Sequence, residues 1–183
     1  LWVMYHKELT SPAENRYLIL DDHQYGELAN STVFGNEAPT TTVIKTGENA
    51  AVNQPNQNFI VYAWKERQGF SKFGKYVGNG EVNGTFVYTG FKPAFVLIRR
   101  IDSANNWLIY DHKRSGYNPK QDKLYHDDPS AEDASTTSVD LLSNGFKLRA
   151  SSASQNASGG TYIYMAFAEA PLVGTNGVTA KAR

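Results

Sequence analysis

The sequence predicts an all-β protein, an antiparallel β-sandwich that is tandemly repeated. Three observations carry this. Apolar and aromatic residues fall in short runs compatible with strands, turn residues separate those runs, and no segment holds a 3.6-residue apolar period over three turns. In chain order, Phe59-Ile60-Val61-Tyr62-Ala63-Trp64 is apolar or aromatic at every position, which suits a strand covered on both faces. Phe86-Val87-Tyr88, Pro93 to Arg100, Trp107 to Asp111 and Phe146 to Arg149 read as further strands, and Thr161 to Phe167 as a second doubly covered one. Between them lie Gly78-Asn79-Gly80, Asn83-Gly84, Asn144-Gly145 and Ser158-Gly159-Gly160, residues that tolerate the left-handed backbone of tight hairpins. Ser130 to Ala134 is the best helical stretch and is too short to be more than a loop or a single turn.

The chain is written nearly twice. Trp2-Val3-Met4-Tyr5 returns as Trp107-Leu108-Ile109-Tyr110, and Leu18-Ile19-Leu20-Asp21-Asp22 returns as Leu124-Tyr125-His126-Asp127-Asp128. Phe59 to Glu66 returns as Tyr162 to Glu169, so the offsets are 105, 106 and 103 residues. A period of that length is a whole small domain. Residues 1–68 are therefore expected to be the C-terminal part of a first sandwich repeat whose N-terminal strands are missing. Residues 69–171 are expected to be a complete second repeat, and 172–183 a tail. The 183 residues are accordingly expected to be the C-terminal piece of a longer polypeptide.

Composition narrows the function classes. The 18 basic and 18 acidic residues cancel, which removes the footprint of a nucleic-acid or acidic-membrane binder. No cysteine is present, so disulfides, thiolate metal sites and cysteine nucleophiles are excluded. The apolar stretch Ala94 to Ile98 is far too short to span a bilayer. No Gly-x-Ser-x-Gly elbow or helical His-x-x-x-His grouping occurs, and Gly78 to Gly84 fails both phosphate-loop spacings, so the expectation is a non-enzyme. A polysaccharide-cleaving variant would need two carboxylates about 5–10 Å apart in a groove, which a sequence alone does not reveal.

Two groups of residues are candidates for binding. Asp127-Asp128, repeated as Asp21-Asp22, places two carboxylates just after a strand, where Ca²⁺ could be held; it is the one cofactor considered. The alternative is that each Asp bonds the backbone amides of its own turn, and the missing series of spaced ligands favours this. Aromatics shared by both copies (Trp107, Tyr110, Phe167) are expected in the core. The unshared Tyr117 and Tyr125, with Asn118, Lys120 and His126 beside them, are the candidate ligand-binding residues, since Tyr faces flanked by amides suit sugars; Tyr25 is a further unshared aromatic. The bland alternative is a solvated loop tyrosine. The polar stretches Thr46 to Asn58 and Ala150 to Gly160 are expected to be exposed hairpin ends, free to vary.

Two long strings add a resemblance. Gly69-Phe70-Ser71-Lys72-Phe73-Gly74-Lys75-Tyr76-Val77-Gly78-Asn79-Gly80 is followed by Phe86 to Val96, and Leu142 to Arg149 by Ala157 to Glu169. Together they resemble a repeated domain of structural proteins of tailed bacteriophages, marine and cyanobacterial phages especially. The resemblance implies a concanavalin- or laminin-G-like jelly roll on the virion exterior. It also implies a role as a tail-fibre or adhesin module that binds host-surface polysaccharide or other virion proteins through its loops. A capsid- or tail-decorating role through protein contacts alone is the alternative, with homo-oligomers compatible with either. The resemblance carries no catalytic motif and implies neither nucleic-acid binding nor membrane insertion.

Overall fold

Ser143 and Asn144 form a two-residue hairpin turn, and Gly145 directly after it opens a strand that pairs on both edges. A side chain on Gly145 would place its Cβ 2.1 Å from the Val87 carbonyl oxygen, so only glycine lets the neighbouring strand approach. In the computed structural model, which describes residues 1–114, 116–120, 122–135 and 138–169, this turn joins β9 (Val139–Leu142) to β10 (Gly145–Leu148). The pair is completed by β5 (Phe86–Tyr88), giving the order β5-β10-β9. The expected tail, 172–183, lies outside the described residues.

A second antiparallel sheet holds five strands in the order β4-β11-β6-β7-β8: β4 (Ser71–Val77), β11 (Thr161–Phe167), β6 (Phe95–Arg100), β7 (Leu108–Asp111) and β8 (Leu124–Tyr125). β11, second in that order, pairs along its whole length with β4, from Thr161 opposite Val77 to Phe167 opposite Ser71. On its other edge it pairs with β6, from Tyr162 opposite Arg100 to Phe167 opposite Phe95. Alternation then divides the side chains. Tyr162, Tyr164 and Ala166 of β11 join Val96, Ile98, Leu108 and Tyr110 against Val87, Val139, Leu141, Phe146 and Leu148 of the β5-β10-β9 layer. Ile163 and Met165 of β11 face the opposite way with Phe73, Leu97, Ile101 and Trp107.

That second face is closed by the N-terminal residues. A small sheet of β1 (Val3–Met4), β2 (Arg16–Ile19) and β3 (Leu28–Ala29), with a single 3-10 turn at Ala13–Asn15, lays Leu9 and Leu18 onto it, Met4 and Leu20 alongside. The five-stranded sheet is thus covered on both faces, and the architecture is nearly all-β with antiparallel sheets throughout. No helix of the described residues is long and apolar enough to cross a membrane. Burial of side chains such as Ile163 and Leu18 contributes about 1.5–3 kcal/mol each.

Five of the six expected strands form, Thr161 to Phe167 covered on both faces among them. The sixth does not: Phe59 to Trp64 is neither strand nor buried. No backbone N–H from Asn58 through Glu66 donates a hydrogen bond among the described residues. Strand pattern needs a pairing partner as well as apolar residues, and this segment has none beside it. The sequence reading also passed over β4, whose Lys72, Gly74 and Lys75 interrupt the apolar pattern, and the two-residue pairings of the N-terminal sheet.

The expectation for Ala150 to Gly160 is corrected too. Asn156 is fully buried (0 % exposed) and Gln155 nearly so. The Asn156 amide donates to the carbonyls of Glu81 at 2.9 Å and Ala150 at 3.1 Å, and its Oδ1 accepts the Asn79 N–H at 3.1 Å. Tyr76 O–H donates to the Gln155 carbonyl at 2.7 Å, and Tyr110 O–H to its side-chain oxygen at 2.5 Å. The polarity of this loop satisfies buried hydroxyls and carbonyls at one end of the sandwich. Thr46 to Asn58, by contrast, is largely exposed.

Candidate functional site

The two aspartate pairs, Asp21-Asp22 and Asp127-Asp128, have the same geometry. Trp2 N–H donates to Asp21 Oδ1 at 2.8 Å, and Trp107 N–H donates to Asp127 Oδ1 at 3.1 Å. Leu20 N–H reaches the Trp2 carbonyl at 2.9 Å, as His126 N–H reaches that of Trp107 at 3.1 Å. The second aspartate of each pair closes its own turn: Gln24 N–H on Asp22 Oδ1 and Ser130 N–H on Asp128 Oδ1, both at 2.8 Å. Each carboxylate therefore caps backbone donors at a strand end, the turn role weighed against calcium. These bonds hold the carboxyls of Asp21 and Asp128 below their ordinary range, through Trp2 N–H and through Ser130 respectively. Among the described residues no group of three or more His, Asp and Glu side chains gathers to hold a metal ion.

Around Asp127 stands an element that sequence reading missed. Arg99 is buried, with its guanidinium 3.5 Å from the equally buried Asp127 carboxylate and 5.4 Å from the Trp107 ring centroid. It also donates to the Tyr25 carbonyl, and His23 Nδ1 lies 3.9 Å from Asp127. Desolvation lowers the Arg99 pKa, and the charges of Asp127 and Asp22 pull it back up. The cluster ties β6 and β8 to the N-terminal segment carrying His23 and Tyr25. The available signal was parity: Arg99 occupies the same strand face as Leu97 and Ile101, both buried.

The five candidate ligand-binding residues are not one surface. Tyr117 is 84 % exposed and His126 is also exposed. Asn118 is clamped to β9, its amide donating to the Leu141 carbonyl and its oxygen accepting Leu141 N–H, both at 2.9 Å. Lys120 is buried, with Nζ on the His112 carbonyl at 3.0 Å, and burial lowers its pKa. Tyr125 packs against the core and donates its O–H to Asp133 Oδ2 at 3.0 Å; burial, and after it this bond, pushes its hydroxyl up to about 12. Asn118, Lys120 and Tyr125 thus have their polar atoms engaged within the fold.

An uncovered apolar feature lies elsewhere. Phe59, Ile60, Val61, Tyr62 and Trp64 are all exposed, and so is Trp2. Their rings form a row: Trp2 stacks on Tyr62 at 5.9 Å and 27°, and Tyr62 on Trp64 at 6.1 Å and 23°. Contiguous apolar surface of this kind marks a contact site on a folded protein. By comparison, the crevice between Met4, His6, Trp107 and Met165 is too narrow to admit a water molecule.

A family model described as a domain of unknown function, DUF7483, matches residues 1–171, and the chain belongs to that family. No curated protein and no solved structure matches the chain.

Proposed function

We propose that this chain is a non-enzymatic structural module of a tailed-phage virion exterior, acting through contact with other virion proteins. The observation that carries the reading is the uncovered aromatic and aliphatic strip of Trp2 and Phe59 to Trp64. A surface of that character gains most from burial against protein, where dehydration of apolar area supplies the free energy. The balanced charge agrees with contact of this kind. The virion assignment rests on the phage resemblance of the strings in residues 69–169. The finer architecture belongs to the same reading: a jelly-roll sandwich in 69–171, preceded by a partial tandem copy in 1–68. The registers support it, since Val3 opposite Ile19 and Met4 opposite Leu18 match Leu108 opposite Tyr125 and Ile109 opposite Leu124.

A second reading, adhesion to host-surface polysaccharide, is favoured by the exposed faces of Trp2, Tyr62 and Trp64 and by Tyr117, because aromatic faces bind sugar rings. Immunogold labelling of intact phage particles with antibody to the chain tests the assignment. Labelling of the particle surface is expected, and its absence would overturn the virion reading. A glycan array separates the two modes: binding abolished by Tyr62→Ser and Trp64→Ser selects adhesion, and no binding selects protein contact.

A further inference from the structure

The two sheets of the sandwich have four outer edges, β4 and β8 of one and β5 and β9 of the other. Three of these are covered or charged. Along β9, Asn118 bonds both the N–H and the C=O of Leu141 at 2.9 Å, and Lys120 pairs with Val139. Just ahead of the two-residue β8, Lys123 pairs with Asp133, the two exchanging backbone bonds at 3.1 and 3.0 Å. β4 carries Lys72 and Lys75, and its outward groups are partly engaged: the Ser71 carbonyl accepts Arg67 N–H, and Phe73 N–H donates to Glu66 Oε1. Charges, caps and short strands of this kind keep sheet edges from pairing with other chains.

β5 has neither a cover nor a charge. From Thr85 to Thr89 no residue is ionisable at neutral pH, and Phe86 and Tyr88 are exposed. The Thr85 carbonyl accepts Leu148 N–H at 3.0 Å, and Thr89 N–H donates to the Asn144 carbonyl at 3.0 Å. The odd-numbered residues therefore bond toward β10, Val87 opposite Phe146 among them. By alternation Phe86 and Tyr88 turn their N–H and C=O groups away from β10. Among the described residues no strand pairs with β5 on that side. The edge is aromatic, uncharged and open.

We infer that β5 is a dimer edge, on which a second copy of this chain pairs its own β5 antiparallel about Val87. Under a two-fold axis there, Phe86 of each copy stands opposite Tyr88 of the other, and residues so opposed exchange both of their backbone bonds. The two β5-β10-β9 sheets become one continuous sheet, with Phe86 and Tyr88 as cross-strand aromatic pairs. Charge selects a second copy as the occupant. Glu81 precedes the strand and Lys92 follows it, and both are exposed. Neither belongs to an ion pair among the described residues. Antiparallel pairing brings the acidic end of each edge to the basic end of the other, so the edge is complementary to itself. None of the residues of the Trp2 and Phe59 to Trp64 strip takes part.

Sedimentation velocity over a concentration series, with amide hydrogen exchange at both ends of the series, tests this on the whole chain. The sedimenting mass is expected to double as concentration rises, and the Phe86 and Tyr88 amides to exchange at least about 10-fold more slowly in the dimer. Tyr88→Pro removes an outward N–H without touching the bonds to β10, and should leave a folded monomer. Glu81→Lys and Lys92→Glu should each raise the concentration of half-dimerisation by about 5-fold, since each change is felt twice across the axis. The two changes together should restore it. A chain that stays monomeric up to about 1 mM would overturn the assignment. So would a dimer whose Phe86 and Tyr88 amides exchange as fast as in dilute solution, because the contact would then lie on another surface. If Tyr88→Pro fails to fold, the charge exchange decides: recovery in the double variant supports the edge, and no recovery overturns it.

Discussion

Tyr162 to Phe167 and Phe59 to Trp64 have nearly the same residue pattern, and they sit at opposite extremes of burial. Ile163 is 1 % exposed between two strands and two apolar layers, and Ile60 at the matching position is 70 % exposed. The difference lies in what surrounds each segment, since the side chains are alike. A run of apolar residues becomes a strand when both of its edges find partners, because the pairing supplies the hydrogen bonds that offset backbone ordering. The paired aspartates teach the same lesson. Asp21 and Asp127 accept equivalent tryptophan amides, but Asp127 is buried beside Arg99 and Asp21 is half exposed beside the N-terminal amine.

The sharpest way to break this comparison is at the aspartates. Asp127→Ala leaves Arg99 buried without its counter-charge and is expected to cost about 3–5 kcal/mol. Asp21→Ala, at the matching position, should cost under about 1 kcal/mol because solvent screens it. Urea unfolding of both variants checks the ratio, and equal losses would show that the two copies share one environment. Next come the isoleucines. Ile163→Ala should destabilise by about 2–4 kcal/mol through the cavity it opens, and Ile60→Ala by less than about 0.5 kcal/mol as an ordinary surface change. Thermal melts of the two variants decide it.

A third difference is titratable. His6 has Asp111 at its matching position in the second copy. It is buried, with Nε2 3.3 Å from the Tyr164 carbonyl oxygen and Nδ1 accepting Glu8 N–H at 3.2 Å, so it is held neutral. Desolvation brings its pKa down to about 4, against the partial upward pull of the Tyr164 bond. The unfolded chain therefore binds the extra proton first as pH falls. This contribution to stability is fully present above pH about 6.5 and is lost progressively toward pH about 4, by about 3 kcal/mol in all. Denaturation midpoints across that range should fall, and His6→Gln should flatten the slope. The smallest effect is expected at the uncovered strip: Trp64→Lys should change stability by less than about 0.5 kcal/mol. A larger loss in an unfolding titration would mean that the ring row supports the fold.

Much of the fold was legible because the residues are locally consistent with it. Thr161 to Phe167 and Pro93 to Ile98 are too apolar to be loops, and Asn144-Gly145 announces a hairpin. β4 escaped because Gly74 and two lysines dilute its pattern. Phe59 to Trp64 was over-read because sequence records the capacity to pair and is silent on which partners stand beside it. The aspartate turns were legible through their repetition. Arg99 was not, since an arginine in a strand is ordinarily an edge or surface residue and only its parity with Leu97 and Ile101 shows that it points inward. The Ala150 to Gly160 loop misled for a related reason: Asn and Gln serve buried hydrogen bonds as readily as they serve water.

The place of β11 in its sheet has a consequence for biosynthesis. β4 and β6 never touch each other as strands; each waits for β11, whose last residue, Phe167, pairs with Ser71 at the other end of the domain. A ribosome making this chain leaves both of these edges open until β11 has emerged. Folding of the domain is therefore gated by the synthesis of β11, and its slow step is a long-range insertion.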